Sequence, residues 1–313
     1  MKRFLFFVAC FMPFLINNAC VNVQPHASKN YSDSAILKDH VEQITSINFR
    51  NHLDTTALNK VAGYIERELR KHSVRVSFQP YKLAGKVYKN VICTLGPDSG
   101  ERIIIGVHYD VHGNQPGADD NASGVAGLLE LARLLKNQTL KYRIDLVAYT
   151  LEEPPYFKSN GMGSFIHAQH LWNNKIAVKG MVCLEMIGYF SDEPKSQSYP
   201  FGPMRWLYGG TGDYILVVQR FGNGKFGRQF NRLIKEHATI KTKFLRSPKF
   251  ITGVDFSDHR NYWSFGYNAI MVTNTAFYRN KNYHTPGDAT ATLDFYRMSK
   301  VVDQVYLSLL NIK

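Results

Sequence analysis

Residues 103–124 read IIIGVHYDVHGNQPGADDNASG, an apolar run followed by histidine and carboxylate side chains. The run Ile103–Val107 predicts a short buried strand, and His108 and Asp110 stand directly at its end. Asp119–Asn121 then precedes a segment with helical spacing. Imidazole and carboxylate groups are the ligands that borderline divalent metals accept. This stretch therefore predicts a metal site just beyond the end of a strand.

The rest of the chain alternates short apolar runs with segments of helical periodicity. Strands are predicted at Val74–Leu83, Val87–Leu95, Arg102–Val107, Tyr142–Leu151, Val178–Ile187 and Ala269–Thr273, and a strand or loop at Gly212–Gly222. Helices are predicted at Leu37–Ile47, Thr56–Lys71, Ser123–Leu135, Asn160–Trp172, Lys225–His237 and Leu293–Leu310. Several strands lack polar alternation, which indicates burial on both faces. The predicted fold class is α/β, a three-layer αβα arrangement with a mixed, mostly parallel sheet and helices on both faces.

The first twenty residues, MKRFLFFVACFMPFLINNAC, have the layout of a secretory signal. Two cations precede an apolar run, Phe4–Ile16, that is too short for a comfortable membrane span. Cleavage after Ala19 would give an exported protein, periplasmic or secreted. Two alternatives remain, an uncleaved anchor and a lipid on Cys20, although Asn17 stands where a lipobox normally has an aliphatic residue.

The remaining residues are interpreted as one domain. Residues 21–35 are polar and without pattern, so we expect a flexible lead, and residues 36–313 contain no repeat, low-complexity tract or linker. The formal net charge is +13, but the cations are spread along the chain and no nucleic-acid motif accompanies them. We therefore interpret the charge as a matter of solubility and expect no nucleic-acid partner. Membrane contact is expected only through the signal or a lipid, and the oligomeric state is left open.

Cys93 and Cys183 are the only cysteines outside the signal region, and each lies in an apolar run. They could pair only if their strands lay side by side, which the sequence does not decide. We prefer the interpretation that both are small buried thiols.

Acid or histidine groups recur at or near the ends of the predicted strands. They are His108 with Asp110, Asp119 with Asp120, Glu152 with Glu153, Glu185, and late in the chain His284. Taken singly, most have ordinary explanations, such as helix capping or a solvated turn. Glu185 is harder to dismiss, because an ionised carboxylate within an apolar run is costly without a metal or a cationic partner.

A two-metal hydrolytic centre needs such a set. Two divalent ions about 3.5–4 Å apart share a bridging carboxylate, carry terminal ligands on each side and activate a water molecule. A further carboxylate that is not a ligand must take the proton of that water. Glu152 and Glu153 suit such a division of roles, because neighbouring side chains in an extended segment point in opposite directions.

The ordered motifs H-x-D, G-x-D-D-x-x-S-G, E-E, a carboxylate before M-I-G, S-D-H and Y-H-T-P-x-D resemble the di-zinc aminopeptidases of metallopeptidase family twenty-eight. Glutaminyl cyclases share that fold. The resemblance extends from about Leu37 to the C-terminus, and the ordered set is far more specific than any one motif. It implies a zinc-dependent exopeptidase domain, with two zinc ions expected and one as the alternative, acting on peptide or protein N-termini.

The resemblance also implies a role for each matching residue. The metal ligands would be His108, Asp120, Glu153, Glu185 and His284, with Asp120 as the bridging carboxylate. Glu152 would be the general base. Tyr283 resembles a tyrosine that polarises the scissile carbonyl in some relatives, and aromatic packing is its alternative role.

Two further residues would support the ligands by resemblance. Asp110 would orient His108, and Asp258, within the S-D-H motif, would shape the pocket wall. The motif Ser257–His259 is no serine-hydrolase triad, because three consecutive residues cannot converge as such a triad must.

The chain departs from the aminopeptidase pattern at Glu185, where aspartate is common, so the number of working zinc ions is the feature placed in doubt. The resemblance also implies a cis peptide bond between Asp120 and Asn121. Pocket shape is expected to come from the loops Ser191–Gly212 and Thr239–Gly253, and the first of these loops is long enough to cover the site.

Three functions remain to be weighed. The leading hypothesis is an aminopeptidase. The alternative enzyme is a glutaminyl cyclase, for which Trp206, Trp263 and Phe277 would be candidates for an aromatic clamp, although each is equally suited to the core. The third is a non-catalytic binding module of the same fold, which the presence of every expected ligand disfavours.

Overall fold

The structure is a computed structural model that describes residues 23–25, 29–222 and 224–313. One sheet contains the strands β1 (Val76–Leu83), β2 (Lys86–Leu95), β3 (Arg102–His108), β4 (Arg143–Tyr149), β5 (Val178–Glu185), β6 (Ile215–Arg220), β7 (Thr242–Ser247) and β8 (Ala269–Thr273). The α-helices are α1 (Ser34–Thr45), α2 (Thr55–Arg70), α3 (Gly124–Leu135), α4 (Gly163–Asn173), α5 (Met204–Tyr208), α6 (Gly224–Glu236), α7 (His259–Ser264) and α8 (Phe295–Asn311).

The strand order across the sheet is β1-β2-β4-β3-β5-β8-β6-β7. The four central strands β4, β3, β5 and β8 run parallel to one another. The hairpin β1–β2 joins one side antiparallel, and the parallel pair β6–β7 joins the other side antiparallel through β6. The mixed, mostly parallel sheet that the sequence predicts is thereby confirmed, and the carboxyl ends of the central strands meet at one edge.

Helices cover both faces of the sheet, because alternate side chains of the central strands point to opposite faces. In β3, Ile103 and Ile105 pack into a core shared with α1, α2, α3, α6 and α8, whereas Ile104 faces the core that contains α4, α5 and α7. Strands buried on both faces are apolar throughout, which is why β3 shows no polar alternation.

The structure corrects the prediction for Thr239–Gly253, which was assigned to a loop. This segment contains β7, whose residues TKFLRS mix cations and apolar side chains. β7 is an edge strand paired only with β6 among the named strands, so it carries a weaker pattern than the central strands. Gly212–Gly222 was predicted to be either a strand or a loop, and it contains the strand β6. The short helices α5 and α7 were not predicted.

Cys93 and Cys183 are both buried and free, as preferred from the sequence. The predicted signal at residues 1–20, with Cys20, lies outside the described residues. Among the residues that are described, no helix combines the length and the apolar character that a membrane crossing requires.

Candidate metal centre

The predicted ligands converge beyond the carboxyl ends of the central strands. His108 and Glu185 are the last residues of β3 and β5, and Glu153 follows β4 by a few residues. Asp120 lies in the helical turn Ala118–Ser123 that leads into α3, and His284 lies in the loop after β8. The parallel arrangement therefore gathers residues that are far apart in sequence.

Asp120 stands between two imidazoles. Its Oδ1 lies 3.3 Å from His108 Nε2, which is also 3.4 Å from Glu185 Oε2. Its Oδ2 lies 3.2 Å from His284 Nε2, which is 3.1 Å from Glu153 Oε2. Each oxygen of one carboxylate thus belongs to a different ligand group, which is the arrangement that a bridging ligand requires.

The donors in both groups fit divalent metal ions. His108 Nε2, His284 Nε2 and Glu153 Oε1 are buried and have no hydrogen-bond partner among the described residues. A buried polar atom without a partner is costly, so these atoms are arranged for a ligand that the protein itself does not supply. Nitrogen and carboxylate donors in this number suit zinc.

The pKa values of the buried acids in this cluster also indicate a site for a cation. Burial raises the pKa of Glu152 well above its ordinary value; the ring of His108 opposes this, while Glu153 and Glu185 reinforce it. Burial and the Asp120 carboxylate raise the pKa of Glu153 to about 8, against the pull of His284. Carboxylates are in excess over the nearby cations, so a bound cation would stabilise the ionised set.

Asp120 is itself the exception among these acids. Burial acts to raise its pKa, but the rings of His108 and His284 hold the pKa below its ordinary value. This is consistent with a carboxylate that stays ionised between two nitrogen donors.

The turn that carries Asp120 is held from several sides. The Asp288 carboxylate accepts hydrogen bonds from the backbone N–H groups of Asp119 (2.9 Å) and Asp120 (3.0 Å). The buried Arg50 guanidinium donates to the carbonyl oxygens of Pro116 (2.6 Å) and Gly117 (2.8 Å). These contacts fix the backbone from which Asp120 projects.

Gly117 is required where it stands. Its φ is 56°, and a Cβ at this position would overlap the Asp120 carbonyl oxygen and the Arg50 guanidinium. The peptide bond between Asp120 and Asn121 is cis, as the resemblance implied. The Asn121 side chain joins this turn to the end of β5 by donating to the Leu184 carbonyl at 2.9 Å.

Asp119 is a structural link rather than a second ligand. Its carboxylate accepts hydrogen bonds from Asn274 Nδ2 (2.7 Å), Asn280 Nδ2 (2.9 Å) and the backbone N–H groups of Gly188 and Tyr189. It thereby ties the turn before α3 to the loops after β5 and β8.

Asp110 positions the two adjacent glutamates. Its carboxylate accepts the backbone N–H groups of Glu152 and Glu153, each at 3.1 Å. Its carbonyl oxygen lies 3.2 Å from His108 Nδ1, and its carboxylate lies 3.6 Å from the same nitrogen. Asp110 therefore contacts three of the residues that the sequence singled out.

The S-D-H motif contributes a contact that the sequence did not reveal. The Ser257 hydroxyl donates to Glu185 Oε2 at 2.6 Å, which fixes the longer glutamate arm at this position. Asp258 is fully buried, and burial raises its pKa to about 7. His259 Nε2 lies 2.8 Å from the Val254 carbonyl, so the ring is engaged by the backbone rather than by a nucleophile.

His284 lies between two other rings. Tyr283 stacks on it with centroids 3.8 Å apart, and His112 stacks on it with centroids 4.1 Å apart and planes within 6°. His112 was not among the predicted site residues, although the same opening motif, HYDVHG, contains it.

The three aromatic residues considered for a cyclase clamp do not come together. Trp206 is 84% exposed, and Trp263 is buried in the core with its Nε1 donating to the Ala269 carbonyl. Only Phe277 lines the cavity beside the candidate metal centre.

That cavity lies over the β6–β8 side of the sheet and reaches Glu185. Its walls come from the strands below and from the segments predicted to shape the pocket. Apolar and aromatic side chains dominate the lining, among them Tyr199, Met204, Tyr208, Tyr214, Leu216, Val218, Leu245, Ile251, Phe256, Met271 and Phe277. Of the described residues that line it, Glu185 alone carries a charge.

The chain resembles known proteins both in sequence and in fold. The chain is 42% identical to the uncharacterized protein YfbL of Escherichia coli (strain K12), with full coverage of both. It is 25% identical to a probable leucine aminopeptidase of Arthroderma otae, over 67% of this chain and 53% of that protein. A glutaminyl cyclase of Bacteroides thetaiotaomicron shares the fold, with a TM-score of 0.68 and 18% identity over 93% of this chain and 100% of that one.

Residues 90–308 match the family model described as peptidase family M28. The protein belongs to that family, as the ordered motifs indicated.

Proposed function

We propose that this protein is a zinc-dependent aminopeptidase that releases apolar residues from the N-terminus of peptides. The observation that carries the proposal is the apolar cavity that reaches Glu185, beside histidine and carboxylate side chains that lie on both sides of Asp120 and could hold metal ions. A side chain held in that cavity would place the first peptide bond near the centre.

The proposed division of roles follows from the contacts. The first ligand group would be His108, Asp120 and Glu185, and the second would contain Asp120, Glu153 and His284. Zinc bound there would supply Lewis-acid activation of a water molecule and of the scissile carbonyl. Proton transfer and positioning of the substrate would be carried out by side chains of the protein.

Glu152 would accept the proton of the attacking water and pass it to the departing amine. Burial raises the pKa of this carboxyl, which makes it a better proton acceptor than an exposed glutamate. Asp110 holds the Glu152 backbone in place by accepting its N–H. Tyr283, stacked on His284, is the candidate for contact with the substrate carbonyl.

The cavity supports a preference for uncharged side chains. The hydroxyls of Tyr199 and Tyr214 lie 3.0 Å apart, and that of Tyr199 also donates to the Gly209 carbonyl. Apart from Glu185, which the proposal assigns to zinc, no described residue that lines the cavity is an anion, so a cationic side chain would find no free counterion there. Burying an unpaired charge is costly. Large apolar side chains would gain about 1.5–3 kcal/mol from burial.

The test is a mass-resolved product assay with the full-length protein. The panel contains peptides that begin with leucine, phenylalanine, lysine or glutamine, together with N-acetylated copies and a zinc chelator as control. We expect chelator-sensitive loss of leucine or phenylalanine from the free-amine peptides, and slower release of lysine. N-acetylated peptides should be untouched.

Three results would contradict the proposal. Loss of ammonia from the glutamine peptide without cleavage would identify a cyclase. Faster release of lysine than of leucine would contradict the assignment of the cavity. No product from a protein that retains zinc would contradict the substrate class while leaving the metal centre in place.

A further inference from the structure

A buried arginine connects separate parts of the wall of the apolar cavity. Arg279 lies in the loop between β8 and α8 and is only 1% exposed. Its Nε donates to Gln197 Oε1 at 2.9 Å, and its Nη1 donates to the Tyr214 carbonyl oxygen at 2.7 Å. Gln197 lies between β5 and α5, and Tyr214 directly precedes β6. One guanidinium group therefore joins three segments that are far apart in sequence.

The partners of Arg279 are themselves part of the cavity wall. Both residues that accept its hydrogen bonds, Gln197 and Tyr214, line the cavity. The Gln197 amide donates onward to the Ser198 carbonyl (2.9 Å) and the Thr275 hydroxyl (2.8 Å), which belong to the same lining. The guanidinium carbon of Arg279 also lies 4.6 Å from the centroid of the Tyr214 ring. Movement of the guanidinium would therefore displace several parts of the wall together.

The loop that carries Arg279 also reaches the candidate metal centre. Asn280, the residue after Arg279, donates to the Asp119 carboxylate at 2.9 Å. The candidate ligand His284 follows in the same loop, and Phe277, earlier in the loop, lines the cavity. Arg279 therefore lies between the metal ligands and the cavity that would hold the substrate side chain.

The charge of Arg279 has no direct counterion. No carboxylate forms an ion pair with its guanidinium among the described residues, and Nη2 has no hydrogen-bond partner there. Burial lowers the pKa of Arg279, as expected for a cation removed from water. An apolar side chain would fill this space at lower cost. What the guanidinium adds is a rigid, planar set of donors that fixes the direction of its acceptors.

We propose that Arg279 is the positioning residue of the cavity: through Gln197 and Tyr214 it holds the walls at the separation that accepts a large apolar side chain. The inference rests on the proposed function, because it names the residue that sets the preference of the same site. Arg279 is not among the described residues that line the cavity, so it acts through the residues that it holds. Loss of its hydrogen bonds should therefore affect substrates that fill the cavity more than substrates that leave most of it empty.

The experiment compares full-length wild type with R279M, Q197M and the double variant that combines them. Methionine removes the hydrogen bonds, and because no carboxylate pairs with Arg279, its replacement leaves no buried anion behind. Kinetics are measured on peptides that begin with leucine or alanine. We expect each single variant to lower the leucine-to-alanine ratio of kcat/KM by about 10-fold or more, mainly through the KM of the leucine peptide. Zinc content and kcat should stay at their wild-type values.

The double variant distinguishes one shared role from two independent ones. If Arg279 acts through Gln197, the double variant should lose no more selectivity than R279M alone, because residues of one hydrogen-bond network are not additive. Losses that multiply in the double variant, or an unchanged ratio in either single variant, would overturn the proposal. The matched controls R228M and Q138M alter exposed residues and should keep the wild-type ratio.

Calorimetric binding of free leucine and free alanine to the zinc-loaded protein gives a second reading that needs no turnover. We expect wild type to bind leucine more tightly than alanine, and both single variants to lose this difference. Equal binding of the two amino acids by wild type would overturn the proposal. If wild type shows the expected binding but releases no N-terminal residue, the proposed function fails while the role of Arg279 stands. If wild type releases leucine and the variants keep its selectivity, the role of Arg279 fails alone.

Discussion

At the scale of single residues, the adjacent glutamates Glu152 and Glu153 differ in what their side chains contact. Glu153 Oε2 lies 3.1 Å from His284 and so belongs to a ligand group, whereas no ligand group contains Glu152. Both backbone N–H groups are held by Asp110. The division arises because neighbouring side chains leave the backbone in different directions.

We predict that Glu152→Gln lowers the turnover number by about 10²–10⁴-fold, the usual contribution of a general base. Zinc content should stay at the wild-type value, because the amide replaces a group outside both ligand groups. The measurements are steady-state kinetics on a leucine peptide and metal analysis of the same sample.

Glu193→Gln, an exposed change of the same kind, serves as the control and should leave both quantities unchanged. Turnover within a few-fold of wild type in Glu152→Gln would remove Glu152 from the role of base.

At the scale of elements, close packing between strand and helix depends on a glycine in β5. A Cβ at Gly180 would overlap the ring of Phe226, which lies on α6. Phe226 is buried and belongs to the core on that face of the sheet. The sequence revealed the strand and the helix, but not that they approach each other at this point.

We predict that Gly180→Ala destabilises the protein by roughly 1–3 kcal/mol, because the inserted methyl forces Phe226 or the strand to move. The measurement is the free energy of unfolding in denaturant. Gly63→Ala is the matched control, since Gly63 lies in α2 with no neighbouring atom within 4 Å of the new Cβ.

Gly63→Ala should stabilise the protein by about 0.5–1 kcal/mol through its higher helix propensity. Equal effects of the two substitutions would show that α6 does not pack against β5 at Gly180.

Prediction of elements from the sequence succeeded where the pattern was strong. The strand at Ala269–Thr273 is predicted with the observed bounds, since five buried residues stand between turn signals. β7 was missed because an edge strand need not be apolar on both faces. The helix α7 was missed because its six residues are too few for a periodic pattern.

At the scale of the whole molecule, burial of neutral histidines links stability to pH. His167 on α4 is fully buried, with Nδ1 2.6 Å from the Tyr262 hydroxyl. Burial lowers the pKa of His167 from 6.5 to about 4. Above pH 6.5 the ring is neutral in both states, and between 6.5 and 4 the unfolded chain binds a proton that the folded protein does not.

We predict that this histidine costs the folded state roughly 3 kcal/mol as the pH falls from 6.5 to 4. His167→Gln cannot titrate, so its free energy of unfolding should fall less over this range than that of wild type. Denaturant unfolding is measured on metal-free protein in the presence of chelator, so that zinc release does not contribute.

His170→Gln, on the exposed side of the same helix, should follow the wild-type pH dependence. A parallel fall in wild type and His167→Gln would show that other groups govern the loss of stability in acid.

Some residues of the candidate site could be predicted from the sequence, and others could not. The five predicted ligands could be named because each matches a motif, and the structure places the other four in contact with Asp120 or with one of its histidine partners. His112 and Ser257 were not assigned contacts. Their partners, His284 and Glu185, lie far away in sequence, and no local pattern records which loops fold together.

The sequence by itself determined the donor types and the positions of the apolar strands that carry them, because strand burial and side-chain chemistry are local properties. It also determined the family, through the order of the motifs. Only the tertiary structure decided that one oxygen of Asp120 faces His108 and the other His284, that Ser257 holds Glu185, and that the apolar cavity ends at that glutamate. These arrangements depend on the parallel packing of β3, β4, β5 and β8, which brings distant strand ends to one edge.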